Sequence, residues 1–114
     1  MCIGGKFAAI YLEGITNKKE KEIVIDALTE TGHQLIDISF DQMKNFAGNM
    51  LELKTTDDKS ILALSAIAFE SLQPYQKSEI EKCCELVPLS IKTIETIGGG
   101  SARCMIAEIF FPAL

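Results

Sequence analysis

The sequence holds a single histidine, His33. A zinc site of mixed Cys and His ligands would need distant residues to meet without any supporting spacing, so no metal is expected. Four cysteines are present, Cys2, Cys83, Cys84 and Cys104, but they form neither a CxxC pair nor the spacing of a small disulfide framework. Positive charge is scarce as well. The 11 Lys and Arg face 16 Asp and Glu, for a net charge of -5 and an isoelectric point near 4.8, which opposes attraction to phosphate backbones and anionic lipid. Neither nucleic acid nor a membrane surface is expected as a partner. No uncharged apolar run reaches the length of about 18 residues that a membrane span requires, and the N-terminal stretch MCIGGKFAAIYLEG is broken by Lys6 and Glu13. Low-complexity segments are also missing. These absences describe a cytoplasmic protein with no implied cofactor.

What is present describes a folded globule. The 114 residues, 47% hydrophobic and 24% charged, suit one domain that can bury a core but is small enough to gain from support by partners. Residues 3–12 carry β-branched and aromatic positions and read as a strand or bent hairpin, with the bend at Gly4 and Gly5. Asn17 and Glu20 have the spacing of a capping box, so a helix is expected to start there. Ile23, Val24, Ala27 and Leu28 recur at helical spacing, and Gly32 stands where a left-handed C-cap belongs. Residues 34–38 (QLIDI) alternate as a half-buried strand, and Ser39 to Gln42 can open a short helical turn that Gly48 stops.

The second half follows the same order. Residues 49–53 (NMLEL) alternate, Thr55, Thr56, Asp57 and Asp58 supply a turn, and the apolar run 60–68 completes a hairpin. Pro74 suits a first helical position, with Ile80, Cys83, Cys84 and Val87 on one face and Pro88 as the stop. Residues 89–97 (LSIKTIETI) read as a strand, and residues 102–111 as a last strand ended by Pro112. The chain thus reads as two ββαβ units within one domain, 1–48 and 49–114, with one strand left over, an α/β architecture built from a repeated pattern.

Between the last two expected strands lies GGGSARC. Three glycines relax the backbone and let another group approach main-chain N–H donors closely. Cys104, just past them, is placed as a nucleophile on a rigid element would be, or else it is one more buried, inert cysteine. The stretch GGGSARCMIAEIFFP closely resembles the C-terminal nucleophile motif of the guanidine-modifying pentein enzymes, in particular amidinotransferase-like and arginine-deiminase-like proteins that include bacterial citrulline hydrolases. KFAAIYLEGITNKKEKEIVIDAL, QMKNFAGNMLEL and SAIAFESLQPYQ resemble the last modules of those proteins, so the likeness spans nearly the whole chain.

The resemblance implies two consecutive ββαβ modules of a propeller built around a pseudo-fivefold axis. It implies Cys104 as the nucleophile that attacks the guanidinium or ureido carbon of an arginine-type or citrulline-type compound. Asn49 corresponds to a position at the rim of the active site, although its place after Gly48 also suits turn chemistry. Gly99, Gly100 and Ser101 are expected to bind substrate beside the thiol. The family's catalytic histidine falls just before the start MCIGGKFAAI, and its clamping carboxylates fall in earlier modules. A truncated chain, inactive alone, is therefore expected, with a second copy or a separate N-terminal polypeptide as partner. The alternative is a non-catalytic interaction module that pairs through open sheet edges. His33, after Gly32, reads as a surface residue near the negative end of a helix or as a catalytic or pH-sensing group. On a strand, Arg103 would face away from the thiol, and Glu108 would share its face.

Overall fold

The computed structural model describes residues 1–110. Its architecture is a mixed α+β fold on two three-stranded sheets, with the order β1-β2-β3 in one and β4-β5-β6 in the other. In the first unit, β1 (Cys2–Ile3) pairs antiparallel with β2 (Phe7–Ile10), and β3 (Gln34–Asp37) returns parallel to β2 after helix α1 (Lys18–Glu30). The second unit repeats the plan. Strand β4 (Leu51–Lys54) pairs antiparallel with β5 (Ser60–Ser65), and β6 (Glu85–Leu89) lies parallel to β5 after helices α3 (Ala66–Ser71) and α4 (Pro74–Glu81). A short helix, α2 (Phe40–Lys44), joins the units.

Local chemistry explains the first unit. The Asn17 half of the capping box forms, its side-chain oxygen accepting from Lys19 N at 3.0 Å, and Gly32 takes the left-handed φ of +80° that a C-cap glycine permits. All four residues of β2 are buried, and the period of two divides them. Ala8 and Ile10 pack with Leu28 and Val24 of α1, whereas Phe7 and Ala9 join Ile36, Ile38, Met50, Leu62, Leu64 and Ile80 in the shared core. Ile23, at helical spacing with Ala27, stays exposed instead. Gly4 is required at the β1–β2 bend, because a Cβ there would lie 2.4 Å from the Phe7 ring and 2.5 Å from a Glu52 carboxylate oxygen. The same carboxylate accepts from Gly5 N at 2.6 Å and so ties the hairpin to β4.

A pair of buried amides makes the second tie. Ser39 and Gln42 form a capping box on α2, and Gln73 and Gln76 form one on α4. Gln42 Nε2 donates to Gln76 Oε1 at 2.6 Å while Gln76 Nε2 donates to Gln42 Oε1 at 3.1 Å. Each amide also crosses to the other unit's main chain, Gln42 to the Ser71 carbonyl and Gln76 to that of Asp37, both at 2.8 Å.

Beyond Ser65 the structure departs from the sequence reading. The apolar run 60–68 is split, because Ser65 accepts from Ala68 N at 3.1 Å and caps α3. The helix from Pro74 ends at Glu81, and Cys83 and Cys84 follow it rather than lie on its face. Pro88, expected to stop a helix, instead sits in β6, where an edge strand can place the missing N–H on its outer side. Residues expected as a strand over 89–97 form helix α5 (Lys92–Gly98), whose one buried side chain is Glu95. The expected strand from 102 is a 3-10 turn, Ala102–Met105, followed by irregular chain. Phe111 and Pro112, assigned to that strand and its stop, lie outside the described residues. No helix among the described residues is long and apolar enough to cross a membrane.

Two core thiols make a pH-dependent contribution. Burial, outweighing the nearby N-terminus and Arg103, pushes Cys2 up to about 11, and burial with the negative charge of Glu52 pushes Cys84 up to about 12, both from an ordinary 9.0. A raised folded-state pKa gives stability that is whole below the unfolded value and lost as pH climbs through the folded one. Urea midpoints should therefore fall as pH rises above 9.0 towards 11, and this part of the slope should vanish in a Cys2→Ala/Cys84→Ala protein.

Candidate active site

Helix α5 delivers the chain to Cys104. The helix ends at Gly98, and Gly99 takes φ +70° as its left-handed cap, donating its N–H to the Glu95 carbonyl at 3.0 Å. Only glycine adopts that φ without strain. Gly100 serves another purpose. A Cβ on it would stand 3.1 Å from Cys104 Cβ and 3.3 Å from the sulfur, crowding the thiol. Ser101 is completely buried; its hydroxyl donates to Glu95 Oε1, and its carbonyl accepts the Cys104 N–H at 3.0 Å. The 3-10 turn that follows leaves Cys104 exposed.

The second wall comes from the junction between the units. Phe46, at φ +65°, turns the chain after α2, its carbonyl accepts from Asn49 N at 2.9 Å, and the buried Met50 anchors the next position. Asn49 Nδ2 then donates to Cys104 Sγ at 3.0 Å, across 55 residues of sequence. The Asn49 carbonyl also accepts from Arg103 N at 3.5 Å, so side chain and main chain hold the same turn. Asn49 Oδ1 is buried without a partner.

This setting favours the thiolate. The Asn49 amide, then the Ser101 main chain and more weakly the Arg103 guanidinium hold the Cys104 thiol below its ordinary value, against a small opposing effect of burial. Cys2 and Cys84 are shifted the other way by burial. Among the described residues no group of three His, Cys, Asp or Glu is gathered so as to hold a metal ion.

The family model described as N,N dimethylarginine dimethylhydrolase, eukaryotic, matches residues 1–111. The chain belongs to that family. The dimethylarginine dimethylhydrolases are guanidino-modifying hydrolases of the pentein superfamily, in agreement with the relationship that the C-terminal motif implied. No curated protein and no solved structure matched the chain.

In this dimethylarginine dimethylhydrolase family member, Cys104 and Asn49 are in contact, Gly100 lies against the Cys104 side chain, and Gly99 caps α5. Ser101 faces inward, its hydroxyl committed to Glu95 rather than turned to solvent. The opposite-face argument for Arg103 falls with the strand it assumed, because Arg103 occupies a 3-10 turn and contributes to lowering the thiol. Glu108 is likewise not on a strand with Cys104; it lines a cavity of about 520 Å³ with Gly5, Glu52 and Arg103. His33 is half-buried and engaged, Nδ1 with the Thr31 hydroxyl at 2.8 Å and Nε2 with the Gly4 carbonyl at 3.0 Å. A cavity of about 590 Å³ lined by Asp37, Asp41, Gln42 and Gln76 contains neither Cys104 nor Asn49. Glu95 was missed from sequence, where it read as a strand position. Its signals were the three-residue spacing of Ile91, Ile94 and Ile97 and a glycine four residues further on.

Proposed function

We propose that this chain carries the nucleophile part of a guanidino-group hydrolase site. The observation that carries the reading is the 3.0 Å bond from Asn49 Nδ2 to the sulfur of an exposed cysteine, made by two segments that meet only in the fold. Cys104 attacks the guanidinium or ureido carbon of an arginine-type compound. An S–C bond forms, the C–N bond to the departing amine breaks, and the amine leaves with a proton. Water then adds to the same carbon and the S–C bond breaks, restoring the thiolate, so that a guanidino compound departs as its ureido product and a ureido compound as its carbamate. N,N-dimethylarginine, the compound in the family's description, would lose dimethylamine by this course, whereas arginine or citrulline would lose ammonia. Gly99, Gly100 and the Ser101 main chain form the wall along which the planar carbon approaches.

Proton delivery to the amine and activation of water require a further acid-base group, and a cationic substrate requires carboxylates. His33 is bonded to Thr31 and Gly4, so in this reading the shuttle comes from outside the described residues, from a second copy or an N-terminal polypeptide. The repeated ββαβ plan supports reading the two units as neighbouring blades of a propeller, and the four free thiols suit the cytoplasm. Amine and ammonia release should be measured from N,N-dimethylarginine, arginine and citrulline, with imidazole in the buffer as proton carrier. Release is expected to vanish in Cys104→Ser. Equal release from both proteins would overturn the assignment, and none from either would favour the second reading.

That second reading is a non-catalytic interaction module. The outer sheet edges and the exposure of Ile97 at 83%, Ile109 at 73% and Phe110 at 86% support it. Light scattering is expected to show association; a stable monodisperse monomer would count against it.

A further inference from the structure

We propose that Glu95 is the positioning residue of the Cys104 site, holding both ends of the loop that presents the thiol. The proposal deepens the reading of Cys104 as nucleophile and rests on it. The links are continuous. The Glu95 carbonyl accepts from Gly99 N at 3.0 Å, and its side-chain Oε1 accepts from the Ser101 hydroxyl. The Ser101 carbonyl in turn accepts from Cys104 N at 3.0 Å. One helical residue thus sets where the loop begins, where it turns inward and where the nucleophile's own backbone sits.

The burial pattern points the same way. Glu95 is 4% exposed and Ser101 0%, on a short helix whose apolar residues Ile94 and Ile97 face outward at 48% and 83%. A helix placed for its hydrophobic face would show the reverse. Here the polar side chain is inside, and its second oxygen, Oε2, is buried with no partner. An orphaned buried acceptor costs stability, and such costs gather where a site needs a fixed geometry. What Glu95 secures is the turn that brings Cys104 Sγ within reach of Asn49 Nδ2 and seats the Cys104 N–H on the Ser101 carbonyl. Without the Ser101 tether, Gly99 and Gly100 are free to rotate and the sulfur loses its Asn49 donor.

The test is the pH at which Cys104 reaches half its maximal rate of alkylation by iodoacetamide, followed by mass spectrometry of the Cys104 peptide. Ser101→Ala and Glu95→Ala are expected to raise that pH and lower the rate at neutral pH severalfold. Ser101→Thr keeps the hydroxyl and Glu95→Gln keeps an acceptor oxygen, so both should remain close to the parent. Should Ser101→Ala fail to fold, the double variant Glu95→Met/Ser101→Ala removes both polar partners, leaves no orphaned group and should still show the raised pH. Profiles of the alanine variants that superimpose on the parent overturn the proposal. Because the readout is thiol reactivity and needs no turnover, its failure is separate from failure of the proposed hydrolase reading.

Discussion

Treated near neutral pH with a chloroacetamidine-type reagent, the native protein is expected to carry the modification on Cys104 well ahead of Cys2, Cys83 and Cys84. The thiolate is the reacting species, and its abundance below the pKa falls tenfold for each unit that the pKa rises. Cys104 lies below 9.0, whereas Cys2 stands at about 11 and Cys84 at about 12. The two units between an ordinary thiol at 9.0 and Cys2 already give about a hundredfold more thiolate, and the lower nucleophilicity of a less basic sulfur returns about tenfold of that. Exposure then widens the gap, since Cys104 is open while Cys2 and Cys84 are buried and Cys83 packs against the core. The amidine adds a further preference if the site admits a planar cation, so a chloroacetamidine should discriminate more sharply than iodoacetamide does. Asn49→Ala removes the largest cause of the lowered thiol and should move the labelling profile to higher pH. Asn49→Asp should move it further, because a carboxylate beside the sulfur opposes its ionisation. Equal labelling of all four cysteines in folded protein would sink this expectation.

The largest effect on stability is expected from Gln76→Ala. Gln76 is 1% exposed, and its amide meets the Gln73 N–H, the Asp37 carbonyl and both polar atoms of Gln42. Truncation takes this partner from the Gln73 N–H and the Asp37 carbonyl, whereas Gln42 keeps the Ser71 carbonyl and the Ser39 N–H, and each buried orphan costs about 1–3 kcal/mol. Water entering from the adjoining cavity, which Gln42 and Gln76 line, recovers part of this. A net loss of about 2–4 kcal/mol is expected in urea unfolding. Gln42→Leu/Gln76→Leu should cost less than the two single changes summed, because neither amide is then left facing an empty partner. A loss below about 0.5 kcal/mol for Gln76→Ala would show that the amide pair does not hold the units together.

Much of the first unit was legible before any coordinates. Gly4 and Gly5, Asn17, Gly32 and the Ser39–Gln42 box are local signals whose effect spans a few residues, and each acted where it stood. The same holds for the hairpin turn at Thr55 to Asp58, where Asp58 takes φ +60°. Legibility failed after Ser65, where apolar residues are dense and two periods compete. Leu89 and Ile91 suggest alternation while Ile91, Ile94 and Ile97 suggest a helix, and β propensity could not choose between them. The helix prevailed through the Gly99 cap and a buried bond from Glu95 to Ser101 that no window of sequence displays.

The site divides in the same way. The motif around Cys104 marked the family and supplied the candidate nucleophile, because the proposed chemistry requires a particular residue beside small ones. Contact between Asn49 and Cys104, the inward turn of Ser101 and the reciprocal grip of Gln42 and Gln76 belong to tertiary structure alone. Each joins separate segments, and its strength depends on burial and on which donor faces which acceptor. Local chemistry could name the atoms; only the packing of one unit against the other could bring them within bonding distance.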